Sequence, residues 1–290
     1  MADINAKLVK QLRDRTGAGM GACKKALVEN GGDVDKAEDA MRAAGVKPDQ
    51  LDRKATEGAV SLAISGDGKG VAIVEMRCET DFAAKSDNFT KLLAAITGTV
   101  LDKKPKGVAE AQAIDSIEKG IQEAAAMTIR ENVQLSRADY KTLDGDGRIG
   151  IYVHHNKQIG VAIGLNTPPS AADKDEVSQL LKDLAMHATA HHPAPVAVDK
   201  ESVPQDLVAR EKAVALKTIS EDPKNASKPD DIKEKMVDGK LRKFFEERAL
   251  LEQKFVKDPN LKISELLQKA SKALGGEVSV AWFVRVAVGD

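Results

Sequence analysis

The run Gly70-Val-Ala-Ile-Val-Glu-Met-Arg-Cys78 decides the fold of this 290-residue chain, together with the residues that follow it. Its side chains alternate as one face of a β-strand requires, and the apolar residues of that face are Ala72, Val74, Met76 and Cys78. Ser86-Asp87-Asn88 then supplies helix-capping side chains before apolar residues at helical spacing, namely Phe89, Leu92, Leu93 and Ile96. Thr80-Asp81-Phe82 is therefore predicted to lie at a strand-to-helix corner.

The aromatic residue at this corner has two interpretations. Phe82 is one of nine aromatic residues, since the chain has six Phe, two Tyr and one Trp. In the first interpretation the ring folds under the corner and fills the core, as most Phe side chains do. In the second, the ring and the carboxylate of Asp81 are presented together to a partner.

Composition excludes several classes of protein. Lys and Arg number 44 against 45 Asp and Glu, a net charge of −1, which argues against a general binder of polyanions. No segment reaches the apolar length of a membrane span, and the N-terminal residues do not resemble a signal peptide. The two cysteines, Cys23 and Cys78, form no CxxC pair and are predicted to be buried apolar residues. We therefore expect a cytoplasmic protein.

Residues 1–46 have the pattern of three short helices. Apolar stripes at helical spacing are interrupted at Gly17-Ala18-Gly19 and at Gly31-Gly32, and Asp33 is placed to cap the third helix. The sequence predicts a three-helix N-terminal domain over 1–46, followed by a charged linker over 47–57.

The rest of the chain repeats a pattern of strand, turn, strand and helix. A hairpin predicted over 59–64 and 70–73 returns over 149–153 and 160–163, and the string Gly-Val-Ala-Ile recurs after 90 residues. An apolar helix follows each hairpin. Such a repeat predicts two duplicated units that each contain an antiparallel sheet.

The predicted fold class is α+β. The first core subdomain is placed at 58–147 and includes an extra helical run near 107–132, with Ile114, Ile117, Ile121 and Ala124 on one face. The second is placed at 148–290 and ends in a strand over 278–288. Large apolar residues alternate along that strand and are predicted to share one face: Val278, Val280, Trp282, Val284, Val286 and Val288.

A helical hairpin is predicted as an insertion in the second subdomain, at about 205–250. Its first helix carries Leu207, Glu211, Val214 and Thr218 at helical spacing. A linker rich in helix-breaking residues follows over 221–229, and the second helix starts at Asp230. Two helices with this connection form an antiparallel pair that projects from the body.

Two fragments imitate ligand-binding loops. Gly66-Asp-Gly-Lys-Gly70 is similar to a phosphate-binding loop, but it joins two predicted strands and is better explained as a hairpin turn. Asp144-Gly-Asp-Gly147 resembles the start of a calcium loop, but His155 stands where the bidentate Glu is needed. Both fragments are predicted to be turns.

One pair of histidines allows a metal site. His187 and His191 are four residues apart in a predicted helix, which can place two imidazoles on one metal ion. Ala188 occupies the position of the Glu that the metalloprotease motif requires. Packing or partner contact is the default interpretation of these histidines, and a metal-dependent hydrolase is kept as an alternative function.

Six motifs, in this order, resemble those of the bacterial elongation factor Ts family. They span nearly the whole chain: Leu12–Met20, Cys23–Leu27, Cys78–Lys85, Ala185–His187, Gly239–Phe245 and Leu250–Asp258. The resemblance implies a guanine nucleotide exchange factor that binds the GTPase elongation factor Tu and expels its GDP. Such a protein carries out no bond chemistry and needs no cofactor or metal, and we expect no direct binding to nucleic acid or membranes. It also implies that the N-terminal domain is UBA-like.

The resemblance also implies the partner-binding residues. On the N-terminal domain they are Arg13, Met20 and Lys24, and at the corner they are Thr80, Asp81 and Phe82, all facing the partner's nucleotide-binding domain. On the second subdomain they are Ile159, Gly160, His187 and Val256, facing the partner's third domain. Gly21 and Lys257 depart from the apolar residues that relatives often carry there. A passive protein-binding scaffold is a further alternative.

Overall fold

The structure is a computed structural model that describes residues 6–16, 20–43, 54–225 and 228–290. The predicted break at Gly17-Ala18-Gly19 and most of the predicted linker lie outside the described residues.

Three short helices form the N-terminal part, as predicted: α1 (Ala6–Thr16), α2 (Met20–Glu29) and α3 (Val34–Ala43). The Oδ1 atom of Asp33 accepts hydrogen bonds from the amides of Asp35 and Lys36, each at 3.1 Å, so the predicted cap of α3 is confirmed. Apolar residues from all three helices form their own small core: Val9, Leu12, Cys23, Ala26, Leu27, Ala37 and Met41.

The first α+β unit is built on an antiparallel sheet with the strand order β1-β2-β3. Strand β1 spans Glu57–Ile64, β2 spans Gly70–Cys78 and β3 spans Gln134–Thr142. The sequence pattern predicts β1 and β2 but misses β3. Only Leu135 and Ala138 of β3 are buried, and polar residues fill the remaining positions, so its apolar alternation is too weak to recognise.

Helices pack on one face of this sheet. The short helix α4 (Asp81–Lys85) leads directly into α5 (Asp87–Lys103). Ser86 caps α5 as predicted, because its hydroxyl accepts a hydrogen bond from the amide of Phe89 at 3.2 Å. The helical run predicted near 107–132 is broken into α6 (Val108–Gln112), α7 (Asp115–Glu123) and a π-helical turn, Ala124–Thr128.

The second half of the chain contains a sheet with the order β4-β5-β8 and the predicted helical hairpin. Its elements are β4 (Gly147–Val153), β5 (Ile159–Asn166), α8 (Asp175–Ala190), α9 (Gln205–Glu221), α10 (Asp230–Arg248), β6 (Lys254–Phe255), β7 (Asp258–Lys262), α11 (Ile263–Leu274) and β8 (Ser279–Ala287). The sequence interpretation misses β6, β7 and α11. Gly66–Lys69 forms the turn between β1 and β2 as predicted, whereas residues 143–146 connect β3 to β4 through a bend and Gly147 begins β4.

The two sheets pack against each other, and strand β2 is consequently buried on both faces. Its predicted apolar face lies under the helices of the first unit, but Val71 and Ile73 on its opposite face join a second core. That core lies between the two sheets and includes residues of both: Val60, Leu62, Val71, Ile73, Leu143, Ile149, Ala162 and Val286. The two units are thereby joined through an apolar interface.

The prediction of a single apolar face on β8 is wrong. Its pairing with β5 shifts register between Gly164 and Leu165, which inserts one extra residue on β8. Val278 and Val280 therefore pack with the helices of the second unit, whereas the residues after the shift, including Trp282 and Val286, face the first sheet. One strand thus serves two cores.

Helix α9 forms as predicted, but the residues noted for their helical spacing do not form its packing face. Val214 is 52% exposed, whereas Ala215 and Ile219 are buried against Val237 of α10. The hairpin therefore packs along a stripe one residue later than that of Val214 and Thr218. A helix whose polar and apolar residues are this interspersed gives little signal about which face meets its neighbour.

Candidate partner-binding site

The corner after β2 is the start of a short helix with an exposed aromatic ring. Thr80 has an extended backbone (φ −124°, ψ 152°), and its hydroxyl accepts a hydrogen bond from the amide of Ala83 at 3.2 Å, which caps α4. Phe82 lies in the first turn of that helix and is 83% exposed, whereas Ala83 is buried. The interpretation of Phe82 as a core residue is therefore wrong.

Asp81 does not cap the helix, because Thr80 occupies that role. Its carboxylate instead forms an ion pair with Lys85 one turn later, with Oδ2 and Nζ 2.7 Å apart. Lys85 lowers the pKa of Asp81 by donating this hydrogen bond. The acid therefore carries its negative charge next to the exposed ring at neutral pH.

A second side chain holds the same corner from a distant part of the chain. The Oε2 atom of Glu131 accepts hydrogen bonds from the amides of Glu79 and Thr80, each at 3.0 Å, and Oε1 accepts the Thr80 hydroxyl at 2.7 Å. In return, Oε1 of Glu79 accepts the amide of Asn132 at 2.7 Å. The sequence analysis misses Glu131, since no local pattern links it to a corner 51 residues away.

The thiol of Cys78 supports the corner from inside. It is fully buried and donates a hydrogen bond to the carbonyl of Thr80 at 3.3 Å. Burial raises the pKa of this thiol to about 12, so it stays protonated and keeps its donor. The prediction of a buried structural cysteine is confirmed.

The predicted contacts on the N-terminal helices lie at the surface. Arg13 is exposed on α1, and Met20 and Lys24 are exposed on α2. Met20 and Lys24 are four residues apart, so they lie on one face of that helix, and 54% of Met20 is exposed. The structure therefore brings an apolar and a cationic side chain together on α2.

The predicted contacts on the second unit are divided between surface and interior. Val256 is 41% exposed and Ile159 is half-buried. Gly160 is buried between the sheets, where an added Cβ would collide with Cδ1 of Leu62 and lie 3.2 Å from Cγ2 of Val60. Gly160 consequently allows the two sheets to approach, and it presents no surface to a partner.

His187 is fully buried and both of its ring nitrogens are used. The amide of Val256 donates to Nδ1 at 3.3 Å, so Nε2 carries the proton and donates to Oε1 of Gln253 at 2.9 Å. Burial lowers the pKa of this imidazole to about 4, which keeps it neutral. The ring does not reach the surface, and it fixes the backbone that carries Val256.

The same hydrogen bonds count against the metal-dependent hydrolase. A metal ligand needs a free ring nitrogen, and His187 has none, while Nδ1 of His191 lies 2.9 Å from the carbonyl of Pro193. Among the residues that the structure describes, no group of three or more His, Cys, Asp or Glu side chains is arranged to hold a metal ion.

A groove joins the corner of the first unit to the second unit. It has a volume of about 420 Å³ and lies between α4 and the turn that connects β4 to β5. Asp81 and Lys85 line one side, and His155 and Lys157 line the other. The turn is fixed to the first sheet, since the amide of Val60 donates to the carbonyl of Lys157 at 2.8 Å. The surface beside Phe82 therefore includes residues of both units.

Within the described ranges, the structure contains no helix long and apolar enough to cross a membrane.

The family profile and the relatives that match this chain carry the same description. A sequence profile described as "Elongation factor TS" matches residues 79–290. The elongation factor Ts of Maricaulis maris is 40% identical, and the match covers 100% of this chain and 93% of the relative. The elongation factor Ts of Thiobacillus denitrificans is 39% identical over 95% of this chain and 91% of the relative. That of Nitratiruptor sp. is 36% identical over 99% and 93%.

Proposed function

The chain belongs to the elongation factor Ts family and is a guanine nucleotide exchange factor for elongation factor Tu, and we propose that Phe82 is the residue that releases GDP. The observation that carries this proposal is the 83% exposure of an aromatic ring on a capped and hydrogen-bonded corner. An exposed Phe contributes little to its own fold, but it can be buried on binding a partner.

Exchange requires coupling between two binding sites on the partner, and no bond is made or broken. The factor must bind the nucleotide-free GTPase more tightly than the GDP-bound form, and this coupling is reciprocal. Weakening GDP by about a thousandfold requires roughly 4 kcal/mol. Burial of one Phe supplies only about 1.5–3 kcal/mol, so the ring needs a broader interface behind it.

We infer that this interface uses surfaces on three parts of the chain. Arg13, Met20 and Lys24 would contact the partner's nucleotide-binding domain. The corner formed by Thr80, Asp81 and Phe82 would contact the same domain. Ile159 and Val256 would contact its third domain. His187 and Gly160 would act from the interior, the first by fixing Val256 through its amide and the second by holding the sheets together.

Asp81 would contribute its negative charge to partner binding, and it would not act as a helix cap. Its ion pair with Lys85 keeps the carboxylate ionised and close to the ring. A polar group of the partner can replace Lys85 at little cost, because an exposed pair of this kind is weak. The ring would insert between partner helices and displace the groups that hold magnesium and phosphate.

We further propose the domain organisation that the sequence suggests. The three N-terminal helices would form a UBA-like domain over 1–46, with a linker over 47–57 and core subdomains at 58–147 and 148–290. Each sheet has a hairpin followed by a helix and a third strand that returns beside the second strand, which supports an origin by duplication. The cytoplasm is the proposed location, with no direct binding to nucleic acid or membranes.

The test loads elongation factor Tu with fluorescent GDP and follows its release with and without this chain. We expect strong acceleration, and we expect Phe82→Ala to lower the maximal release rate much more than the affinity for the partner, since the ring acts during displacement. The matched control is Leu216→Ala, which removes another exposed apolar side chain, 42% exposed on α9. No acceleration by the unmodified chain would refute the function, and equal losses of rate and affinity would reduce Phe82 to a contact residue.

A further inference from the structure

We propose that Glu131 is a positioning residue that fixes the orientation of Phe82, so that its loss lowers the rate of exchange more than the affinity for the partner. This inference rests on the proposed function of Phe82. Glu131 belongs to none of the motifs that identify the family in the sequence, and it lies between the π-helical turn and β3.

The carboxylate is attached to the corner at three points. One oxygen accepts two consecutive amides, those of Glu79 and Thr80, and the other accepts the Thr80 hydroxyl. Because both oxygens are engaged, the carboxylate restrains rotation as well as position of this backbone. Hydrogen bonds to an ionised acceptor are also about twice as strong as neutral ones.

Thr80 transmits this restraint to the helix that carries Phe82. Its hydroxyl donates to Glu131 at 2.7 Å and accepts from the amide of Ala83 at 3.2 Å. A single side chain therefore links the distant carboxylate to the first turn of α4. The rotamer of Thr80 that caps the helix is the same one that Glu131 holds.

Glu131 itself stands on a firmly held segment. The preceding residue, Arg130, has a left-handed backbone (φ 62°), and its amide donates to the carbonyl of Ala124 at 3.2 Å. The following amide, that of Asn132, donates to Glu79, so the two segments exchange hydrogen bonds in both directions. Asn132 and Val133 are buried, which anchors Glu131 to the start of β3.

Glu131 adds to the restraint that the Cys78 thiol and the buried Ala83 already give this corner. Helix α4 has only five residues, too few for a stable helix on its own, and its aromatic ring is 83% exposed. The hydrogen bond from the Thr80 amide to Glu131 is exposed, so water can accept from this amide when Glu131 is replaced. We therefore infer that the carboxylate contributes more to the direction of the ring than to folding.

The test measures exchange and partner affinity separately for Glu131→Ala and for Glu118→Ala, a matched control that removes an exposed carboxylate of α7 that accepts a hydrogen bond from Gln122. We expect Glu131→Ala to lower the maximal GDP release rate about tenfold while the affinity for elongation factor Tu changes less than about threefold. Equal losses of rate and affinity, or no loss of rate, would overturn the proposal.

Two further variants separate positioning from general destabilisation. Thr80→Val removes the linking hydroxyl and should lower the maximal release rate as Glu131→Ala does. In the Phe82→Ala background, Glu131→Ala should cause little additional loss, since the ring that it positions is already absent. Independent, additive losses would contradict a common mechanism.

A measurement without the partner keeps this inference separate from the proposed function. We would place 4-fluorophenylalanine at position 82 alone and record its ¹⁹F resonance in the 290-residue chain. Glu131→Ala should shift and narrow the signal, as expected of a ring that samples more orientations, and Glu118→Ala should leave it unchanged. An unchanged signal in Glu131→Ala would refute the positioning role even where exchange is fully active.

Discussion

Two single residues in this chain have a degree of burial that is unusual for their residue type. Phe82 is apolar but 83% exposed, and His187 is polar but fully buried. Each departs from the usual burial of its residue type, which indicates that a specific interaction explains its position. For Phe82 this interaction is contact with the proposed partner. For His187 it is the pair of hydrogen bonds with the backbone amide of Val256 and the side chain of Gln253.

Burial of His187 predicts a loss of stability in acid. Its pKa is lowered from 6.5 in the unfolded chain to about 4 in the fold, so between these values the unfolded chain binds the proton more readily. The stabilising contribution is complete above pH 6.5 and is lost as the pH falls towards 4. A shift of this size corresponds to roughly 3 kcal/mol at about 1.4 kcal/mol per unit.

Urea unfolding at several pH values between 7 and 4 measures this effect. We expect the free energy of unfolding to fall more steeply with acid for the unmodified chain than for His187→Gln. His155→Gln, which changes an exposed histidine, should follow the unmodified chain. Identical pH slopes for all three proteins would contradict the assignment to His187.

At the level of elements, the helical hairpin shows that helical spacing does not by itself identify the packing face of a helix. The stripe through Leu207 and Val214 has helical spacing, but α9 packs against α10 through Ala215 and Ile219. Both stripes have the correct period, and only the position of α10 determines which one is buried. Strand β8 shows the same limit, because its shift in register moves later residues to the other face.

This difference predicts opposite outcomes for two substitutions in α9. Ile219→Ala removes a side chain that is 2% exposed and should destabilise the hairpin by about 2–5 kcal/mol. Val214→Ala removes one that is 52% exposed and should change stability by no more than about 0.5 kcal/mol. Hydrogen exchange of the α9 amides measures both. Similar loss of protection in the two variants would contradict packing of α9 through Ile219.

In the whole molecule, the two α+β units are held together by the packing of their sheets. Trp282 of the last strand faces the core between the sheets, and its indole donates to the carbonyl of Thr142 in the first unit at 3.0 Å. The buried carboxylate of Glu75 accepts the amide of Gly289 at 3.1 Å, which ties the end of the chain to the first sheet. This joint holds the corner with Phe82 beside the turn between β4 and β5.

Gly160 is the position where this joint is most sensitive to volume. Gly160→Ala places a methyl group against Leu62 and should destabilise the protein by about 1–3 kcal/mol. Gly98→Ala is the matched control, since Gly98 is exposed on α5 and an added Cβ would meet no atom within 4 Å beyond the adjacent helix backbone, and we expect it to stabilise by up to about 1 kcal/mol. Unfolding followed by fluorescence of Trp282, the single Trp, reports on both. Equal stability of the two variants would contradict the tight approach of the sheets.

The sequence by itself determined the local features of this protein. The caps at Asp33 and Ser86, the hairpin turns and the strand β2 all depend on neighbouring residues, and the structure confirms them. The family and its exchange function were also recognisable, because they are carried by contiguous motifs.

Only the tertiary structure decided which of these residues are available to a partner. It exposed Phe82, buried Gly160 and His187, and brought Glu131 to a corner that lies 51 residues earlier in the chain. These outcomes depend on contacts between distant segments, whose partners are absent from any local window of sequence. Periodicity and capping are properties of neighbouring residues, whereas burial and long-range hydrogen bonds arise only when the sheets and helices have packed.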